Sequence, residues 1–210
     1  MKRVLLLGAT SHISTYLIPM LLTQNVSLTL FARHGKERLK KWMACPVVKV
    51  VNGDWNERSD LQAAMEKQNI VFLATSQFAI ANRNVVRAMN KSHVKRLIAA
   101  GCLGIEDEVA GKFGQWNHHM MGDNRNLKAA AAVIKDSGLN YTLMRMAWLY
   151  DGEDEEYELI PHGQPFYDTQ LSRRAAARFV ADIVSDPALA AKQSVGVGQP
   201  HTDWAKPSFY

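Results

Sequence analysis

Short runs of apolar residues alternate along this chain with segments in which the apolar residues recur every three to four positions. The short runs are rich in leucine and β-branched residues and predict strands, whereas the periodic segments predict helices. The predicted strands cover residues 3–8, 27–33, 46–54, 69–75, 94–101 and 139–146. The predicted helices cover residues 13–24, 36–43, 59–67, 79–91, about 123–137 and 172–186.

This alternation indicates the fold class. Strands that are apolar along nearly their whole length, with helices between them, are typical of a parallel sheet covered on both faces. We therefore expect an α/β fold: a doubly wound (Rossmann) parallel sheet of about six to seven strands with helices on both faces. The chain has 210 residues, 47% of them apolar, and shows no repeat or linker. We expect a single domain over residues 1–210.

The segment at about 150–171 is the irregular part of the predicted domain. We expect this segment and the C-terminal tail to form a small region on the substrate side. The run of four acidic residues at 153–156 predicts a solvated loop.

The formal charge is +5 and the pI is near 9.2. We interpret the basic residues as spread along the chain rather than clustered, and neither zinc-finger spacing nor an RNA-binding aromatic motif occurs. These features argue against nucleic acid as a partner. We expect the positive charge to receive an anionic cofactor instead.

Cysteine content and hydropathy bear on the compartment. The chain has two cysteines, Cys45 and Cys102, far apart in sequence. This usage indicates a reducing compartment, and we expect the cytoplasm. No apolar run of about 18 residues occurs, so no membrane span is expected. The short apolar run at the start breaks at a glycine, which argues against a signal peptide.

The first strand, the glycine after it and the first helix are arranged as at the start of a dinucleotide-binding domain. Gly8 stands where the tight turn is made, but Ser11 and Ser14 replace the two further glycines of the usual fingerprint. Arg33 ends strand 2, where NAD-preferring sites usually hold an acid for the ribose 2′-hydroxyl. An arginine there offers its guanidinium to a 2′-phosphate, so the sequence favours NADP(H) over NAD(H). The alternative is a solvated arginine at a strand end.

Nearly the whole chain resembles a known family. The stretches GATSHIS, FAR, VNGDWNERSDL, VKRLIAAGCLGIEDE, GLNYTLMRMAWL and SRRAAARFVADIV are similar to the atypical short-chain dehydrogenases of the NmrA-like, NAD(P)H-binding group. Within that group the chain is most similar to small bacterial NAD(P)-binding oxidoreductases. This similarity rests on three motifs: GIEDEV at 104–109, GKFGQWN at 111–117 and Ser-Arg at 172–173. The motif set is specific for the family but not for a reaction.

The resemblance implies a cofactor site along the carboxyl ends of the strands. It implies phosphate contacts after strand 1, NADP selection after strand 2, adenine contacts after strand 3 and ribose contacts after strand 4. The implied cofactor-binding residues are Gly8, Thr10, Ser11, His12, Ile13, Arg33, Asp54, Trp55, Ala74, Thr75, Ser76, Ala100 and Gly101. Met146 and Trp148 match the end of strand 6 near the nicotinamide.

Ser11 is the main departure from the family pattern, in which the second glycine lets the backbone lie against phosphate. A serine there costs space, and it costs more if the position needs a positive φ. Its hydroxyl could instead donate to a phosphate oxygen, and the helix N-terminus still supplies N–H groups. We interpret the loop as a modified, weakened phosphate site rather than an inactive one.

The usual catalytic residues of short-chain dehydrogenases are missing. Their reaction needs a Tyr that donates a proton, a Lys four residues later and a Ser near the end of strand 5. No Tyr-x-x-x-Lys occurs here, and Gly101 and Cys102 stand at the serine position. The catalytic residues are therefore unknown. A proton for any reduction would come from solvent or another group, which suits a quinone or flavin-like acceptor.

Several other residues are candidates for chemistry. His118 and His119 are adjacent, do not share a helix face and lack a third ligand, so no metal site is expected. Cys102 could be a nucleophile near the reactive end of the cofactor, or a small core residue. Trp116 and Trp148 could line a pocket for a planar substrate, or simply pack. The candidate substrate pocket is therefore Cys102, Trp116, Met146 and Trp148.

Three functions fit these observations. The first is an NADPH-dependent reductase of atypical short-chain type that acts on a small planar acceptor. The second is a non-catalytic protein that senses NADP and reports it to a protein partner, which the missing Tyr and Lys favour. The third is a fold relic without a ligand. The GKFGQWN segment and Trp148 favour the first.

Overall fold

Ten strands and seven α-helices follow one another along residues 1–210, all of which the computed structural model describes. The strands are β1 (Lys2–Leu7), β2 (Val26–Ala32), β3 (Val48–Asn52), β4 (Ile70–Leu73), β5 (Arg96–Cys102), β6 (Asn140–Met146), β7 (Trp148–Tyr150), β8 (Glu158–Ile160), β9 (Gln170–Ser172) and β10 (Gln193–Gly198). The helices are α1 (His12–Leu22), α2 (Gly35–Arg38), α3 (Arg58–Ala64), α4 (Ala79–Lys91), α5 (Gly111–Met121), α6 (Arg125–Lys135) and α7 (Arg173–Ser185).

Eight strands form one sheet in the order β3-β2-β1-β4-β5-β6-β10-β8. All neighbouring strands in it are parallel except β10 and β8, and β7 pairs with β9 in a separate two-stranded sheet. The doubly wound fold is the one expected, with eight strands instead of six to seven. The additional strands are β10, which contains Gly196 and Gly198, and β8, which has three residues. Neither has the long apolar run that predicts a buried strand.

The order of strands reverses between β1 and β4, so the connections from these two strands leave in opposite directions. Alternate residues of β1 face the two cores: Val4 and Leu6 lie in the core under α1 and α7, and Leu5 and Leu7 in the core under α3, α4 and α6. A crevice at the carboxyl ends of the strands, where the order reverses, is the usual ligand site of such sheets.

Two helices differ from the prediction. The helix expected at 36–43 is a single turn, α2, followed by a 3₁₀ helix at Lys40–Trp42. Helix α5 was not expected, because only Phe113 and Asn117 of its residues are buried and it contains two glycines. Its sequence therefore lacks the apolar stripe that identifies a helix.

The segment 150–171 is less irregular than expected, since it contains β8 and most of β9. The acidic run is a loop, as expected, and its Glu153 side chain is 88% exposed. Glu153 pairs with Arg174 at 2.9 Å, and Glu155 lies 3.8 Å from Arg174 and 3.4 Å from Arg178. The acidic run is thus held against α7.

Candidate functional site

The turn after β1 can hold only a glycine at position 8. Gly8 has a φ of 86°, which side-chain-bearing residues rarely adopt. A Cβ atom there would also lie 3.0 Å from the Cβ of Ala74 and 3.4 Å from the ring of Trp55. The turn therefore brings the backbone after β1 close to the ends of β3 and β4, where a ligand can approach it.

Ser11 is the N-cap of α1 rather than a strained residue. Its φ of −70° and ψ of 158° are ordinary for an N-cap. Its Oγ accepts from the Ser14 N–H at 3.1 Å and donates to the Ser14 Oγ at 2.9 Å, and the Ser14 Oγ donates to the Gly8 carbonyl at 3.0 Å. The two serines that replace glycines thus connect the loop to the helix by hydrogen bonds. Because the φ of Ser11 is negative, a serine there causes no backbone strain.

The other residues of the predicted phosphate loop lie around this cap. Thr10 is half-buried beside the turn, His12 is exposed at the first position of α1, and Ile13 is buried in the core. The N-terminus of α1 thus lies directly after the turn at Gly8, and a helix N-terminus favours an anion.

A small cavity of about 90 Å³ lies between the ends of β1, β2 and β3. Arg33 and Arg38 both line it, and neither has a carboxylate within 4.0 Å. Asp54, in the same cavity, accepts from the Asn56 N–H at 2.9 Å instead. Two guanidinium groups are therefore available to an anion here. Arg38 was missed from sequence because its approach to Arg33 depends on the short turn of α2.

A wider, mostly apolar groove of about 750 Å³ adjoins this cavity and shares Arg33, Asp54 and Trp55 with it. Its far wall comes from the starts of α4 and α6, and includes Phe78 and Ile80, whose exposed fractions are 61% and 67%. Exposed apolar side chains beside two cations suit a flat aromatic base attached to an anionic group.

The ends of β4 and β5 are held tightly together. The N–H and the Oγ of Ser76 both donate to the Ala100 carbonyl at 2.9 Å, and Ser76 is buried. A Cβ on Gly101 would lie 2.9 Å from Leu143 and 3.0 Å from the Met144 carbonyl. Ala74 and Thr75 are half-buried beside them. The Ser76 hydroxyl is therefore engaged within the chain, and this part of the predicted site offers backbone and small side chains to a ligand.

Of the four predicted substrate-pocket residues, Cys102 and Met146 end β5 and β6, Trp116 lies in α5, and Trp148 begins β7. Trp116 and Trp148 have ring centroids 5.0 Å apart, and the Trp148 Nε1–H donates to the Asn117 Oδ1 at 2.8 Å. Met146 is buried. Burial raises the pKa of the Cys102 thiol, although a hydrogen bond from Gln77 opposes this. A raised pKa leaves less thiolate, which argues against a nucleophilic Cys102.

Arg145 is a fully buried cation that sequence reasoning missed. It lies in β6, and its guanidinium is 2.6 Å from Glu108 and 3.2 Å from Glu106. Glu108 in turn accepts from the Gly104 and Glu106 N–H groups. Burial alone would raise the pKa of Glu106, but hydrogen bonds from His162, Ser194 and Lys135 and the charge of Arg145 lower it to about 2. This network fixes the loop between β5 and α5.

Asp168 is a buried carboxyl group beyond the end of β10. Burial and the neighbouring Glu158, with a smaller effect from Asp203, raise its pKa to about 7. Its side chain packs on Gly198, where a Cβ would overlap it. Such a group can hold a proton near neutral pH, and no local pattern in the sequence identifies it.

The acidic residues are concentrated in the second half of the chain, whereas the basic residues occur in both halves. Residues 1–100 contain 15 Lys and Arg and five Asp and Glu, whereas residues 101–210 contain 10 and 15. All eleven ion pairs join residues between positions 106 and 182. The cations of the first half, including Arg33 and Arg38 in the small cavity, therefore have no carboxylate partner.

Neither a metal centre nor a membrane span is found among the side chains and helices of the structure. No group of three or more His, Cys, Asp and Glu side chains has an arrangement suited to a metal ion. None of the helices combines the length and the apolar character that a membrane span requires.

Comparison with known proteins identifies relatives over almost the whole chain. A family model described as NAD(P)H-binding matches residues 8–187. A short-chain dehydrogenase/reductase (wide type) from Veillonella parvula DSM 2008, solved in complex with NADP, is 30% identical, with 99% of each chain covered and a TM-score of 0.94. A Rossmann-fold NAD(P)-binding family protein from Shigella flexneri is 33% identical, with 100% of each chain covered and a TM-score of 0.83.

A more distant structure shares only the fold. ChuY, an anaerobilin reductase from Escherichia coli O157:H7, is 21% identical over 99% of this chain and 100% of that one, with a TM-score of 0.79. No match to a curated protein is found.

Proposed function

Because the chain belongs to the NAD(P)H-binding family of atypical short-chain dehydrogenase type, we propose that it is an NADPH-dependent reductase of a small planar acceptor such as a quinone or a flavin. Binding of NAD(P)H and membership of an oxidoreductase family follow from the comparisons. The preference for NADPH and the class of acceptor are our proposals.

One observation carries the preference for NADPH: Arg33 and Arg38 line the same small cavity beside Gly8, and neither is paired with a carboxylate. An unpaired guanidinium prefers a phosphate to a hydroxyl, since the charge-assisted hydrogen bond is about twice as strong as a neutral one. The relative from Veillonella parvula was solved with NADP, which supports the same cofactor here.

The residues of the chain suit this cofactor in other ways. The glycine turn at Gly8 and the N–H groups of α1 would receive the pyrophosphate, and the groove beside Trp55 would receive the adenine. The bound nicotinamide would supply a hydride. The tight junction of Ser76 with Ala100 would form the floor beneath it.

The class of acceptor follows from the lack of a tyrosine acid. Reduction of a simple ketone develops an alkoxide, and general acid catalysis contributes about 10²–10⁴ in rate to such a step. A quinone or flavin takes hydride without this help because the charge spreads over its ring, and a solvent proton completes the reduction. The apolar surface of Trp116 and Trp148 suits such a ring.

NADPH oxidation with a panel of quinones, free flavins and aliphatic ketones tests this function. We expect turnover with at least one quinone or flavin and none with aliphatic ketones. Robust turnover of an aliphatic ketone would show that a proton donor has been overlooked. The second candidate is a sensor of NADP, which the absence of a tyrosine from α6 favours. Binding of NADPH without reduction of any acceptor would support it.

A further inference from the structure

Three aromatic side chains pack against one another near the end of β6. The ring centroid of Tyr210 lies 5.1 Å from that of Trp116 and 5.2 Å from that of Trp148, and the two tryptophans are 5.0 Å apart. The interplanar angles are 66°, 84° and 62°, so each pair meets edge to face. We call Trp116, Trp148 and Tyr210 the aromatic triangle.

The aromatic triangle lies directly outside the ends of β5 and β6. Trp148 stands two positions after Met146, the last residue of β6. Asn117, which accepts from the Trp148 indole at 2.8 Å, would be 3.0 Å from a Cβ on Gly104, two residues after the end of β5. In a doubly wound sheet, this is where the reacting end of a dinucleotide meets its substrate.

The aromatic triangle leaves no slot for a planar molecule. A flat acceptor needs a ring face on which to stack. Here the edge-to-face contacts engage each of the three rings with the other two. A planar acceptor that stacks on the sides of Trp116 or Trp148 that Tyr210 contacts must therefore displace Tyr210.

Tyr210 is held in a way that permits this displacement. The anchor is Ser208, whose N–H and Oγ donate to the Gln170 Oε1 at 3.0 and 2.8 Å. Beyond it, Phe209 is 45% exposed and Tyr210 is 51% exposed. The Tyr210 hydroxyl makes no hydrogen bond within the chain, so its ring can leave without breaking one.

We propose that Tyr210 determines acceptor specificity by occupying the stacking position on Trp116 and Trp148, which a planar acceptor takes by displacing it. The inference rests on the proposed function, because it concerns the acceptor of that reaction. An acceptor with a large flat ring replaces the contacts of Tyr210, whereas an aliphatic molecule does not. Tyr210 thus selects against non-planar acceptors.

Calorimetric titration with riboflavin, a planar probe without a phosphate group, tests the proposal in the absence of NADPH. The variants are Tyr210→Ala, which removes the ring, and Tyr210→Phe, which keeps it and serves as the matched control. Loss of two edge-to-face contacts should tighten riboflavin binding about fivefold to tenfold in Tyr210→Ala. Tyr210→Phe should match the wild type, and Trp148→Ala should lose binding.

Weaker riboflavin binding by Tyr210→Ala would show that Tyr210 is a wall of the pocket, and would overturn the proposal. Equal binding by Tyr210→Ala and wild type, or no binding by any variant, would also overturn it. A parallel NADPH titration distinguishes failure of the proposed function from failure of the proposed role of Tyr210. Tyr210→Ala should leave NADPH affinity unchanged, and failure of every variant to bind NADPH would contradict the proposed function while the riboflavin comparison stands.

Discussion

The two halves of the chain differ in net charge and in how far their charged side chains form ion pairs. Residues 1–100 form β3, β2, β1, β4 and most of β5, carry an excess of ten positive charges and take part in no ion pair. Residues 101–210 form β6, β10 and β8, carry an excess of five negative charges and contain all eleven ion pairs. Arg33 and Arg38 of the first half thus have no carboxylate partner beside the candidate cofactor cavity, whereas charged residues of the second half pair with one another.

Two buried arginines on neighbouring strands illustrate the contrast. Arg96 in β5 donates to the carbonyls of Pro187 and Leu189 and has no carboxylate partner, and burial lowers its pKa to about 10. Arg145 in β6 lies between Glu106 and Glu108. Only Arg145 holds the loop between β5 and α5 by ion pairs. We therefore expect mutations of charged residues to affect stability in the second half and cofactor affinity in the first.

The largest effect is expected from Arg145→Met. It leaves the buried carboxylate of Glu108 without a cation, whereas Glu106 keeps Lys135 and His162 as partners. Breaking a buried pair in this way typically costs about 3–5 kcal/mol. Urea unfolding of the variant measures the loss. The control is Arg125→Met, which removes an exposed pair with Asp123 and should change stability little. A loss below about 1 kcal/mol for Arg145→Met would mean that the network does not anchor the loop.

Arg33→Ala should have the next largest effect, on cofactor affinity in the first half. A charge-assisted hydrogen bond to the 2′-phosphate contributes roughly 1.5–3 kcal/mol, so NADPH should bind about tenfold to 150-fold more weakly. NADH affinity should change little. Lys91→Ala, which removes an unpaired cation from a different groove between α3 and α4, should spare both. An Arg33→Ala variant that still prefers NADPH would refute the role of Arg33.

Asp168→Asn should alter the pH dependence of stability. The pKa of Asp168 is raised from 3.8 to about 7 in the folded protein. Between these values the folded form keeps a proton that the unfolded form releases, so rising pH favours unfolding. The stability that this proton contributes is therefore complete below pH 4 and is lost as the pH rises through 7.

The size of this loss follows from the pKa difference between the folded and unfolded states. One pKa unit corresponds to about 1.4 kcal/mol, and solvent near the carboxyl group screens part of the effect. The wild type should therefore lose on the order of 2 kcal/mol of its free energy of unfolding from pH 4 to above pH 7. Unfolding curves at several pH values should show this decline only with Asp168 present; an identical profile for Asp168→Asn would exclude it.

The smallest effect is expected at Ser11. Replacing an N-cap serine by alanine costs about 1 kcal/mol, whereas glycine costs a few tenths. Ser11→Ala should therefore be less stable than Ser11→Gly in thermal unfolding. The reverse order would mean that the hydroxyl does not cap α1.

Prediction from sequence succeeded best in the first half of the fold. The strands β1, β2, β4 and β5 are buried apolar runs, and helix α4 spans 79–91 as expected. The second half was predicted less well because β7, β8 and β9 have three residues each and depend on pairing with distant segments. No local pattern marks such strands.

The candidate site shows the same division. Gly8 and Arg33 follow strands directly, so position along the chain was enough to single them out. Arg38, Asn117, Asp168 and Tyr210 reach their neighbours through tertiary packing and were missed. Trp116 and Trp148 were selected as aromatic residues, but their closure by Tyr210 depends on the last residue of the chain, which is far from both in sequence.

Hydrogen–deuterium exchange with and without saturating NADPH tests the central claim most directly, that the first half holds the cofactor. We expect slower exchange in the loop 8–14 and at the ends of β2, β3 and β4. Residues 150–172 and 190–210 should exchange as they do without NADPH. Protection confined to those two segments, with the loop 8–14 unchanged, would contradict the account.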